Sequence, residues 1–359
     1  MQVILGIIFH FFGGFASGSF YVPYKKVRGW SWESLWIVGG LFSWLIIPPL
    51  AAWFTIPGFA EIIKNTSAST LGYSYLFGLL WGIGGLTYGL GVRYLGVSLG
   101  STIILGLCAV FGSIIPSLYY NYYPKEGKDS FSTLLHTHWG QMVLLGIFIC
   151  VLGIIICGIA GAKKEKQWAG NRLTSENSRD YKFTLGIIVA IVSGILSACF
   201  NFGIEAGKTM ADTANLIWKT SHPGRENFLF QNNVIYIIIL WGGLTTNFIW
   251  CAVLNMRNKS YGDYIDTGKP LLNNYLFCAL AGTTWFLQFF FYGMGESKLG
   301  NGASSWILHM AFIILVANLW GVILKEWNGL KRDTILTLLA GIFVIILSIV
   351  VVGYGNSIR

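Results

Sequence analysis

Apolar residues in this chain come in long unbroken stretches rather than with the alternation of a half-buried strand or surface helix. Ten stretches hold no Asp, Glu, Lys or Arg: Met1–Tyr24, Ser34–Ala60, Asn65–Val92, Tyr94–Pro124, Ser130–Ala162, Phe183–Ile204, Asn227–Met256, Pro270–Gly295, Leu299–Leu324 and Thr334–Ile358. A helix needs about 20 consecutive apolar residues to cross the hydrocarbon core of a bilayer. Every stretch exceeds that. The pattern predicts an all-α membrane protein of ten transmembrane helices, with too little chain left over for a soluble domain.

Composition agrees. Of 359 residues, 54% are hydrophobic and 11% charged, where soluble domains carry about 25% charged residues. The net charge of +9 would fit a nucleic-acid binder, but the basic residues are scattered through short connections rather than gathered in one patch with aromatics. The six cysteines lie inside apolar stretches with no CxxC pair, so they read as small core residues rather than zinc ligands or disulfides. His136 and His138 alone are a weak metal signal, and no cofactor or metal is expected. The start, Met1-Gln2-Val3, lacks a basic leader region, and the first stretch reads as a retained helix.

Cytoplasmic loops of membrane proteins are enriched in Lys and Arg. With ten spans, the odd-numbered connections share one face and carry 16 of these residues, while the even-numbered connections and the termini carry 8. Both termini are therefore expected outside. Tyr119, Tyr120, Tyr122 and Tyr123 at the outer end of the fourth stretch, and Trp30 and Trp32 at the inner end of the second, match the aromatic preference for membrane interfaces.

The two halves resemble each other at constant offsets. Leu76-Phe77, Leu80, Gly82 and Leu99-Gly100 recur as Leu276-Phe277, Leu280, Gly282 and Leu299-Gly300, while Gly6-Ile7-Ile8, Gly14, Ser17 and Phe20 recur as Gly186-Ile187-Ile188, Gly194, Ser197 and Phe200. The division is residues 1–162 and 183–359 as two five-helix repeats, joined by a basic cytoplasmic linker over 163–182. Five is odd, so the second repeat enters the membrane from the opposite side. Such inverted pairs recur in secondary transporters, with the substrate near the midplane.

Polar residues inside spans are costly, and each is a functional candidate. Glu205, ending the sixth stretch, is a candidate proton carrier, with a surface pair to Lys208 one turn later as the plainer reading. His10 and His309 sit near the middle of the first and ninth stretches, where a histidine titrates near physiological pH unless strongly desolvated. The segment Trp285-Phe286-Leu287-Gln288-Phe289-Phe290-Phe291-Tyr292 places one amide among six aromatic rings. Aromatic faces with a few hydrogen-bonding groups describe a small-molecule pocket and suit the apolar face of a sugar, which singles out Trp285 and Gln288. Gly78-x-x-x-Gly82 and Gly96-x-x-x-Gly100 have the small-xxx-small spacing of close helix packing.

Taken together, Phe20-Tyr21-x-Pro23-x-Lys25-Lys26-Val27, Trp30-Ser31-Trp32-Glu33, Tyr88-Gly89-Leu90-x-x-Arg93-Tyr94-Leu95-Gly96, Trp285-x-Leu287-Gln288-Phe289, Ser305-Trp306-x-Leu308-His309-Met310 and Leu324-Lys325-Glu326-Trp327 resemble the L-rhamnose–proton symporter family, within the drug/metabolite transporter superfamily. The resemblance runs the length of the chain. It implies ten helices in two inverted halves and uptake of a 6-deoxy sugar driven by a proton gradient across the cytoplasmic (inner) membrane. It also implies a pocket on helices that here carry Tyr21, Tyr88, Asn201, Gln288, Trp306 and His309. Two segments depart from the family pattern: the outer loop around Tyr120–His138 is longer, and Gly300–Ser304 is shorter and lacks a Tyr-Asp pair.

The expected function is a sugar–proton symporter rather than an enzyme, with sodium in place of the proton and another sugar or metabolite as alternatives. A sugar sensor would need a soluble signalling module, and a lipid-linked sugar transferase would need clustered acids such as DDxxD. Neither occurs in the chain.

Overall fold

The structure, a computed structural model, describes residues 1–95, 97–171, 183–323 and 327–359. Among the described residues it is helical throughout, with no strand. In chain order the helices are α1 (Gln2–Ser19), α2 (Tyr21–Tyr24), α3 (Trp32–Gly40), α4 (Ile47–Thr55), α5 (Phe59–Lys64), α6 (Ala68–Leu95), α7 (Val97–Tyr122) and α8 (Phe131–His136). They continue with α9 (His138–Asn171), α10 (Phe183–Ala206), α11 (Lys208–Ser221), α12 (Asn233–Asn258), α13 (Leu271–Leu299), α14 (Gly302–Ile323) and α15 (Arg332–Ser357). Ten segments among the described residues are long and apolar enough to cross a bilayer: α1 with α2, α3 through α4, then α6, α7, α9, α10, α12, α13, α14 and α15. Each falls on one of the ten charge-free stretches.

One boundary differs from the sequence expectation. Helix α9 runs on to Asn171, so the first part of the expected linker is helix, as the helix formers Lys163, Lys164, Glu165, Lys166 and Gln167 favour. Residues 172–182 of that linker lie outside the described residues, as does Leu324-Lys325-Glu326 of the last motif. Between the sixth and seventh spans the short helix α11 covers Lys208–Ser221.

By its contacts the chain forms two compact units, each drawn from separate stretches: a first unit of Met1–Ile7, Ile83–Asn201 and Leu299–Arg359, and a second of Ile8–Gly82 and Phe202–Lys298. In the first unit α9 and α15 pack along their length. A Cβ on Gly153 would strike Ile345, and one on Gly341 would strike Cys157, so small residues set this approach. One end is tied by the Lys163–Asp333 ion pair (2.7 Å) and a Gln167 amide donating to Thr334 Oγ1. At the other end Arg359 pairs with Asp129 at 3.0 Å, and the Asn301 amide donates to the same carboxylate.

The second unit packs α6 on α12 as its glycines predict: a Cβ on Gly78 would fall on the Ile239 carbonyl, and one on Gly82 on the Thr246 hydroxyl. Tyr24, Trp30, Val38, Cys278 and Ala281 form a buried cluster in this unit. The six cysteines are all buried free thiols.

Candidate functional site

In the second span, Pro48 and Pro49 follow four and five residues after Trp44. Proline has no N–H, so the carbonyls of Trp44 and Leu45 cannot receive the usual α-helical bonds. The chain takes a π-helical turn over Leu41–Ile46 instead. Such turns re-aim side chains and are frequent at functional sites. Here the turn carries Trp44, near the centre of its span. Trp81 and Trp285 lie near the centres of theirs.

The three indoles meet. Trp44 stands edge-on to Trp285 (centroids 5.8 Å apart, interplanar angle 88°) and to Trp81 (6.4 Å, 84°), and Trp81 lies 5.6 Å from Trp285. Phe289 closes one side of Trp285 at 5.1 Å and Trp36 one side of Trp44 at 6.1 Å. Trp36 donates its indole N–H to Asn247 Oδ1 at 3.0 Å. Trp44 is 3% exposed, and its indole N–H has no hydrogen-bond partner among the described residues. A buried donor left unmade costs about 1–3 kcal/mol, so this one is poised to donate to an incoming group. The cleft beside it, lined by Tyr24, Trp36, Gly40, Ser43, Trp44 and Trp285, has room for about one water, 10 Å³. With the rings this close, nothing larger than a water fits between them.

The remaining sequence candidates divide between the units. Gln288 is buried one turn along from Trp285, and its amide donates to the Trp285 carbonyl at 2.9 Å. Tyr21 is largely exposed, packed edge-on to Tyr24 at 5.6 Å. In the first unit, Asn201 and Trp306 both bind α7: the Asn201 amide donates to the Gly112 carbonyl (2.7 Å) and the Trp306 indole to that of Cys108 (3.0 Å). Pro116, four residues after Gly112, has no N–H to offer that carbonyl, so Asn201 supplies the missing donor. His309 is buried with its ring 6.5 Å from that of Trp306. The Tyr88 hydroxyl donates to Ser101 at 2.7 Å, on the wall of a cavity of about 550 Å³ whose lining includes Asn318, Lys164 and Trp327.

A further polar centre lies in the second unit and departs from the sequence reading. Lys208, which the plainer reading placed at the surface one turn after Glu205, is not at the surface. It is buried, donating to Glu296 Oε1 at 2.9 Å and to Asn232 Oδ1 at 3.3 Å, while the Asn232 amide donates to Glu296 Oε2 at 2.6 Å. Burial pulls the Lys208 ammonium down, but the Glu296 and then the Glu205 carboxylates outweigh it, and its pKa is raised. The lysine stays charged. Glu205 and His10, two of the three proton-carrier candidates, border this centre: Glu205 acts on Lys208, and the His10 ring lies 5.4 Å from Tyr292.

The sequence reading missed Trp44, Trp81, Lys208, Asn232 and Glu296. For Trp44 the signal was Pro48-Pro49 following Gly39-Gly40 inside an apolar stretch. For Glu296 it was the charge closing the eighth stretch, no different in sequence from any other span end.

Ten membrane-length helices, with aromatic and polar groups buried within each unit, fit a membrane carrier for small polar molecules. The model of the L-rhamnose-proton symport protein (RhaT) family matches residues 1–358, and the chain belongs to that family. It is 37% identical to the L-rhamnose-proton symporters of Yersinia pestis (strain Pestoides F) and Yersinia pseudotuberculosis serotype O:1b (strain IP 31758), over 99% of this chain and 98% of theirs. It is 36% identical, over the same shares, to that of Yersinia pestis bv. Antiqua (strain Antiqua).

Proposed function

We propose that the protein imports L-rhamnose with a proton across the cytoplasmic membrane by alternating access, through two inverted five-helix repeats whose termini lie outside. The sugar sits against Trp44, Trp81 and Trp285, with Gln288 beside them. The observation that carries this reading, beside family membership, is the unpartnered Trp44 indole N–H in a ring of indoles at the centres of three spans. A 6-deoxy pyranose offers a C–H face and a methyl group to aromatic rings, and hydroxyl oxygens to an indole donor.

Counterflow in proteoliposomes with a panel of 6-deoxyhexoses, recorded with external pH, tests this. L-rhamnose should exchange fastest and its entry should make the outside alkaline. Preference for another sugar would favour the broader sugar or metabolite reading, and dependence on sodium without a pH change would replace the proton. Trp44→Phe keeps a ring and removes the donor. A neutral hydrogen bond contributes about 0.5–1.5 kcal/mol, so its half-saturation concentration for L-rhamnose should rise about 2- to 12-fold with little change in maximal rate. An unchanged value would take Trp44 out of the site.

A further inference from the structure

The first unit holds a cavity that the indole site leaves unused. It measures about 550 Å³. Small-molecule sites span roughly 300–1,000 Å³ and are mostly apolar, with a few placed polar groups. The indole cleft of the second unit, by contrast, has room for about one water. Four spans wall the cavity: Tyr88 comes from α6, Ser101 and Leu105 from α7, Ile154 from α9 and Asn318 from α14. Along α9 the lining runs from Ile154 to Lys164 and Glu165, about 15 Å at 1.5 Å per residue. Ser101 stands at the start of the fourth span, Lys164 and Glu165 at the end of the fifth, and Trp327 in the ninth connection. The mouth therefore lies on the face of the odd-numbered connections, and the cavity reaches from it into the spans.

Its polar groups change with depth. Lys164 and Glu165 are the two charged lining residues, one of each sign, and the Lys164 ammonium stands over the Trp327 ring at 4.6 Å. Deeper in, the groups are neutral. Asn318 lies five residues before the end of α14, about 8 Å along the helix. A polar side chain at that depth is costly unless it faces a cavity or a partner. Its Nδ2 donates to the Ile314 carbonyl of its own helix at 2.8 Å, and its Oδ1 has no partner among the described residues. The Tyr88 hydroxyl donates to Ser101 at 2.7 Å, and the Ser101 hydroxyl proton has no acceptor among the described residues. An open acceptor and an open donor thus share a cavity with the apolar walls of Leu105, Ile154, Ile313 and Ile314. Such a set suits a neutral ligand that carries both hydroxyls and C–H faces. An ion of either sign would meet a like charge at the mouth, which is unfavourable.

Resting on the sugar-transport reading above, we infer that this cavity is a second sugar site, which holds the sugar at the odd-numbered face of the carrier. A sugar hydroxyl donates to Asn318 Oδ1. Ser101 donates to a sugar oxygen, while the bond from Tyr88 fixes the direction of its hydroxyl. The C–H face and methyl group of the ring lie against the isoleucine walls. With the odd-numbered face inside, the site receives the sugar before its release into the cell.

The test is sided. Right-side-out and inside-out membrane vesicles carrying wild type, Asn318→Leu or Ser101→Ala are assayed for L-rhamnose exchange, with the sugar varied at one face and saturating at the other. Loss of one neutral hydrogen bond should raise the half-saturation concentration at the odd-numbered face about 2- to 12-fold in each variant, with the value at the opposite face unchanged. A matching rise at the opposite face, no rise at the odd-numbered face, or loss of exchange by both variants overturns the inference. Asn318→Cys then reports what fills the cavity, with the buried native thiols of the wild type as baseline. A water-soluble methanethiosulfonate applied at the odd-numbered face should modify it, and L-rhamnose should slow that reaction at least about twofold. Modification by a lipid-soluble maleimide alone would mean a groove filled by lipid and overturns the inference, as does a rate that L-rhamnose leaves unchanged. Wild-type vesicles that exchange no L-rhamnose would defeat the sugar reading itself. Normal wild-type exchange with unchanged variants defeats this inference alone.

Discussion

At the scale of single residues, the same chemistry that makes a side chain look functional in a sequence can be spent on the protein's own backbone. Asn201 is the example. A buried amide in the sixth span is a reasonable ligand for a sugar, and nothing in the sequence links it to Pro116, 85 positions earlier. The structure spends its Nδ2 donor on Gly112, whose carbonyl Pro116 leaves without an N–H. Asn201→Leu should therefore lower stability by about 1–3 kcal/mol, the cost of an unsatisfied buried polar group. Pro116→Ala restores an N–H to the helix, so most of that loss should disappear in the double variant. Thermal unfolding in detergent of the four proteins gives the coupling directly. Additive losses would show that the amide does something other than answer the proline. Trp44 is the opposite case, a donor with no partner among the described residues, and sequence alone could not tell the two apart because both depend on what lies across the helix interface.

At the scale of elements, the charge-free stretches located every span, while the connections held the surprises. A 3-10 turn, Ser260–Tyr264, lies between α12 and α13. It acts as the cap of α3. Ser31 stands at the N-cap position but makes no capping bond with its side chain. Asp263 does so in its place, accepting from the Ser31 backbone N–H and the Ser34 hydroxyl, both at 2.8 Å, and pairing with Lys269 at 2.6 Å. A carboxylate there also favours the positive end of the helix dipole. Burial pushes the Asp263 carboxyl up, but the bonds from Lys269, Ser31 and Ser34 outweigh it and hold it below its ordinary range. A carboxylate depressed in the folded state stabilises above its unfolded pKa, about 3.9, and that stabilisation is lost as pH falls through the folded value. The melting temperature in detergent should accordingly drop on acidification below about pH 4. Asp263→Asn should be less stable at neutral pH and flatter across that acid window. An unchanged acid slope would assign it to other carboxylates. A capping residue supplied from 232 positions away leaves no local sequence pattern, which is why helix starts were legible and their partners were not.

At the scale of the whole molecule, the count of spans and the side of each connection are coupled, and the structure constrains the first independently of hydropathy. In the first unit the C-terminal Arg359 binds Asp129 of the fourth connection, to which Asn301 of the eighth also donates. Lys163, after the fifth span, binds Asp333, before the tenth. In the second unit, Lys208 and Asn232 of the sixth connection hold Glu296 near the eighth, while Ser31 of the first holds Asp263 of the seventh. Even-numbered connections meet even ones and odd meet odd, as ten alternating spans demand. Parity does not say which face is cytoplasmic, and only the 16-to-8 split of Lys and Arg does. The odd face, holding the Lys163 and Asp263 clusters, should be inside, and the even face, holding Glu296, outside. A green fluorescent protein fused after Arg359 should then be dark and an alkaline phosphatase fused there active. The same two reporters inserted after Thr174, between the fifth and sixth spans, should give the reverse pair. A fluorescent fusion at Arg359 would invert the molecule and place the Lys208–Glu296 centre on the cytoplasmic side.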